Sequence, residues 1–93
     1  NYSTPVGELD LVMREQDTIV FVEVRSRRQG GVIDPQAVLS EQKKTRLERA
    51  AAWYIYQRRL ESRPLRFDLV VVRQAKDGEM IGEHYADAFA PQR

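Results

Sequence analysis

The sequence contains no cysteine and only one histidine. The missing thiols exclude a disulfide framework, a thiolate zinc site and a cysteine nucleophile. They suit a reducing compartment, so a cytoplasmic location is expected. A single histidine excludes a histidine-rich metal cluster. His84 has no motif around it that would make it half of a serine–histidine pair, and it reads as an ordinary strand residue. No apolar run approaches the ~20 residues of a membrane-spanning helix, so no membrane partner is expected. No signal-peptide pattern opens the chain. Gly-rich phosphate loops and dinucleotide fingerprints are absent. The chain starts at Asn1 without a methionine, and a preceding segment is expected.

What is present is a balance typical of globular chains: 93 residues, 42% hydrophobic and 31% charged. That length suits one small domain, 1–93. The net charge of +1 is unevenly spread. Residues 25–66 hold eleven of the fifteen Lys and Arg but four of the fourteen Asp and Glu. Such asymmetry favours an anionic partner on one face, although a solvated helix face would look the same.

The run 8–14 alternates, with Leu9, Leu11 and Met13 on one side and Glu8, Asp10 and Val12 on the other, which predicts a strand. A turn at 15–17 leads into a second strand, 18–26, as its hairpin partner. The glycine pair Gly30-Gly31 and the Asp34-Pro35 step then mark a loop. Ser40 is placed to cap a helix running to about Leu60, with Leu47, Ala50, Ala51, Tyr54 and Ile55 as its apolar stripe. Trp53, Tyr56 and Leu60 form a second patch on another side, which calls for a missing segment, a ligand or a second subunit, so a homodimer is expected as one option. Strands at 65–73 and 80–85 follow, joined by a turn at Asp77-Gly78.

The second strand raises the chemical question. In "IVFVEVRSR", 19–27, Ile19, Phe21, Glu23 and Arg25 share one face. A charge in that position is costly unless it is paired or binds an ion. With the hairpin turn centred on Gln16 and Asp17, Asp10 falls opposite Glu23, and their Cβ atoms would lie about 4.5–5.5 Å apart. Like charges that close repel unless a cation lies between them. Carboxylate oxygens, a backbone carbonyl and water suit Mg²⁺ or Mn²⁺. The residues alone leave a second reading open, an ion pair of Asp10 or Glu23 with Arg25.

Several blocks in order resemble the YraN-like family: "GELDLV" at 7–12, "FVEVRSR" at 21–27, "EQKKTRLERAAAWYI" at 41–55, "RFDLVVV" at 66–72 and "DAF" at 87–89. That family is predicted to be a nuclease of the PD-(D/E)XK superfamily, near the archaeal Holliday-junction resolvases. The resemblance implies an α/β fold with a central mixed sheet, a long packed helix, a restriction-endonuclease-like core and a further helix before the first residue here. It implies Asp10 and Glu23 as catalytic metal ligands, with the Val24 carbonyl as a third, and Arg25 where the motif has lysine. Glu8 matches an acidic position of the family's own block. Arg27, Arg28, Lys43, Lys44, Arg46 and Arg49 are the expected phosphate contacts. The implied activity is metal-dependent hydrolysis of DNA, with branched DNA as one substrate class. The alternatives are a degenerate nuclease fold that binds nucleic acid without cutting it, and a structural or protein-interaction module.

Overall fold

A computed structural model of the protein describes residues 1–27 and 38–90. Four strands form a mixed sheet in the order β3-β4-β5-β6: β3 (Leu11–Glu15), β4 (Thr18–Arg27), β5 (Leu65–Gln74) and β6 (Met80–Phe89). The outer pairs are antiparallel and the central pair β4–β5 is parallel. Parallel neighbours need a crossover, and the helix α1 (Glu41–Arg58) supplies it. A separate hairpin, β1 (Tyr2–Thr4) with β2 (Gly7–Leu9), lies against α1. This is an α/β fold with a four-stranded mixed sheet and one long helix on a face, consistent with a restriction-endonuclease-like core.

Local chemistry explains the elements. The β3–β4 loop is two residues, Gln16 and Asp17, and Gln16 adopts the positive φ of 54° that tight hairpins favour at that position. The Ser40 hydroxyl accepts from the backbone N–H of Lys43 at 3.2 Å, capping the helix as expected. Arg59 closes it in the left-handed region, and Pro64 lies beyond. The expected stripe is the buried one: Leu47, Ala50, Ala51 and Ile55 pack on Ile19, Phe21, Phe67 and Leu69. Rings continue this core sideways, with Phe67 stacked on Phe89 at 4.8 Å and Tyr54 edge-on to Phe21 at 5.8 Å.

Three expectations are modified. The run 8–14 is not one strand. It bends at Asp10, so 7–9 pairs with Tyr2–Thr4 while 11–15 pairs with β4. The bend also breaks the alternation: Leu9 is buried, whereas Leu11 and Met13 are exposed on the sheet face away from the helix. Gly7 suits this segment through its φ of 149°, a conformation that side chains rarely adopt, rather than through lack of space beside Ala50 and Arg46. The second aromatic patch is also partly covered by the chain itself. Leu60 packs on the core and Trp53 lies 6.5 Å from the ring of Tyr2, which leaves Tyr56 as its open member. Finally, β6 runs on to Phe89 rather than ending at Tyr85.

Candidate functional site

The bend places Asp10 at the rim of the main sheet. Its Oδ2 accepts the backbone N–H of Val24 at 2.9 Å, which ties the bend to β4. The hairpin register, Leu11 with Val22, sets Asp10 beside Glu23. Burial, and then the nearby charge of Asp10, push the Glu23 carboxyl up to about 7, with Arg25 and Lys43 pulling the other way. Glu23 Oε1 also pairs with Arg25 Nη2 at 3.1 Å. Both arrangements read from the residues are therefore present together: neighbouring carboxylates and a Glu23–Arg25 ion pair.

Glu23 and Arg25 open onto a groove of about 290 Å³ lined also by Gly7, Glu8, Lys43, Arg46 and Leu47. The Arg25 Nε is buried and lacks a hydrogen-bond partner among the described residues. It is a buried donor that the described residues leave unsatisfied. Glu8 is exposed and accepts from the Asn1 side chain at 3.1 Å.

The basic residues separate. Lys43 and Arg46 line the groove, and Arg49 is exposed further along α1. Lys44 does not join them. It is buried, its ammonium lies 3.3 Å from Glu41 and sits over the Phe89 ring. Successive helix residues turn by about 100°, which carries Lys44 away from exposed Lys43 and toward the core side of the helix. Arg28 and the Arg27 side chain lie outside the described residues.

One polar cluster was not expected. Asp68, almost wholly buried on the other face of the sheet, accepts from Arg66 Nε at 3.0 Å and from the backbone N–H of Asp87 at 2.9 Å. His84 Nε2 lies 2.7 Å from its Oδ2, and Glu15 braces the Arg66 guanidinium at 3.2 Å. His84 is thus a tethered residue rather than a plain strand position. Burial alone would raise the Asp68 carboxyl, but its hydrogen bonds outweigh that and hold it below the usual carboxylate range. The signal was available: a carboxylate inside "RFDLVVV" is as anomalous as one inside "IVFVEVRSR".

The donor set bears on a metal. Among the described residues no three His, Cys, Asp or Glu side chains could hold an ion together. An all-protein cage is therefore not the arrangement. Mg²⁺, however, is commonly held by one or two carboxylates, with water and substrate phosphate completing its shell. Asp10 and Glu23, with the Val24 carbonyl beside them, fit that mode.

The model for "Uncharacterised protein family UPF0102" matches residues 1–72. The chain belongs to the UPF0102 family. This is the YraN-like family whose blocks the sequence carries. A UPF0102 protein of Syntrophotalea carbinolica is 42% identical over 89 residues, covering 96% of this chain and 72% of the relative. One of Syntrophus aciditrophicus is 40% identical over 89 residues, covering 96% and 69%. One of Moorella thermoacetica is 43% identical over 72 residues, covering 77% and 60%. The UPF0102 relatives are thus longer than the stretch they share with this chain. Among the described residues no helix is long and apolar enough to cross a membrane.

Proposed function

We propose that the chain is a metal-dependent DNA endonuclease of the PD-(D/E)XK superfamily, with branched DNA as a candidate substrate. The observation that carries this is the pairing of Asp10 with Glu23 at the backbone of Val24, at the edge of a groove lined by Arg25, Lys43 and Arg46. Asp10, Glu23 and the Val24 carbonyl would hold Mg²⁺ or Mn²⁺. Such an ion polarises a phosphodiester and lowers the pKa of a water bound to it. Lys43 and Arg46 orient the strand by its phosphates. Arg25 projects from the same strand face as Glu23 and lines the groove, where its guanidinium can meet a phosphate oxygen. As a permanent cation it stabilises charge that builds on the phosphate, and it cannot take a proton from water. Arg25 stands where the motif has lysine and is engaged with Glu23. That observation favours a second reading, a binder that no longer cuts.

The test is a cleavage panel of single-stranded, duplex and four-way DNA with Mg²⁺ and Mn²⁺. Ion-dependent cutting is expected, absent in Asp10→Asn. Arg25→Lys should keep or raise the rate, and Arg25→Ala should lower it by about 10²–10³, as for loss of one charge-stabilising donor. Robust cutting by Arg25→Ala would overturn the role of Arg25. No cutting by any form, with DNA affinity that still falls steeply with salt, would favour the binder.

A further inference from the structure

We propose that a single-stranded DNA arm leaving the groove is held along one exposed stripe of α1, formed by Arg46, Arg49, Trp53 and Tyr56. This rests on the nuclease reading and specifies its substrate as DNA with an unpaired flank. The four residues recur at spacings of three, four and three, so they lie along one helix face and cover about 15 Å of it. The stripe begins inside the candidate site, because Arg46 lines the groove together with Glu23 and Arg25.

The order of chemistry along the stripe is cation, cation, aromatic, aromatic. Arg14, Arg25, Arg63, Arg66 and Arg73 are each held by a carboxylate. Arg46 and Arg49 are exposed, and neither is ion-paired among the described residues. They present positive charge to an outside polyanion. Beyond them Tyr56 is 71% exposed, the most open large hydrophobic side chain among the described residues. Trp53 is half-buried, steadied on one side by Tyr2. The Arg58 guanidinium lies 4.9 Å from the Tyr54 ring centroid and also covers Tyr2, so the hairpin flank of the stripe is braced.

Paired bases hide their faces in the duplex stack. Arginines alone would serve a duplex equally well, but aromatic rings beside them can stack only on unpaired bases. The charge pattern also opposes an apolar protein partner, which would have to bury two unpaired guanidinium groups.

Trp53 is the only tryptophan, so its emission reports on the stripe directly. The protein is titrated in metal-free buffer with a short oligothymidylate, and separately with blunt and forked duplexes of equal length. Expected are quenching of Trp53 by the oligothymidylate, weaker at higher salt, and tighter binding of the forked duplex than the blunt one. Tyr56→Ala, a change at an exposed position, should weaken forked-duplex binding by roughly 5- to 150-fold, the range for one lost stacked base, and leave the blunt duplex unchanged. Unaltered Trp53 emission at saturating oligothymidylate, or equal loss on both duplexes, would overturn the proposal. So would emission that responds to protein concentration but not to DNA, since the stripe would then belong to a second copy. Quenching without cleavage removes the nuclease reading and leaves the stripe. Cleavage without quenching does the reverse.

Discussion

Glu23 and Asp68 are both carboxylates set inside apolar strands, on opposite faces of the same sheet. Asp68 is surrounded by donors and stays ionised, whereas Glu23 has another carboxylate for a neighbour. Their pH behaviour should therefore be opposite. The Glu23 pKa of about 7 lies above its ordinary 4.5. Its contribution to stability is complete below 4.5 and is lost as pH rises through 7. In metal-free buffer, Glu23→Gln should gain on the parent by about 1–3 kcal/mol between pH 5 and pH 8 in denaturant melts. Parallel curves for the two proteins would contradict the raised value. Asp68, held below its ordinary pKa, stabilises above about pH 4 and loses that effect on acidification. Asp68→Ala should cost about 1–3 kcal/mol at neutral pH, because the backbone N–H of Asp87 loses its acceptor while Arg66 keeps only Glu15. The Asp10–Glu23 pairing was legible because a two-residue turn fixes a hairpin register by arithmetic. The Asp68 cluster was not, since it joins Glu15, His84 and Asp87 from both outer strands, across a register shift between Phe67 and Leu69.

Among the elements, the helix was the most legible. Its cap and its buried stripe both follow from residue type and a 3.6-residue period. Ser40→Ala should lower stability by about 1 kcal/mol, read as a shift in thermal midpoint, because the Lys43 N–H loses its partner. No change would mean that the cap is redundant. The same period shows why Lys44 stands apart from Lys43: they are neighbours in the sequence, not on the helix surface. The first strand was the least legible. Alternation records which residues sit on one side of a ribbon, not which ribbon is its neighbour. A bend at Asp10 that hands the chain from one partner to another leaves no mark on that pattern. Nor did the residues before it announce β1, whose Tyr2 packs against Tyr54 at 5.2 Å.

At the scale of the whole molecule, charge and hydrophobicity are laid out on different sides. The helix side carries the groove and its cations. The other face of the sheet shows a largely apolar groove of about 340 Å³ between Leu11, Met13, Val20, Val22 and Val70, ending at the Asp68 cluster. The uneven charge was visible in the sequence, but the apolar face was not, because buried and exposed valines read alike in a strand. The parallel pairing of β4 with β5 has a temporal meaning as well. Ile19 must wait for Leu65, and each later residue of β4 for one equally far downstream. At synthesis rates of roughly 5–20 residues per second, that neighbour arrives roughly 2–9 s later. During the interval Ile19–Val22 has only β3 beside it and leaves its other edge open, the kind of apolar edge that invites another chain. Glu23 and Arg25, directly after it, are gatekeepers that interrupt any such run before the fold exists to shelter it.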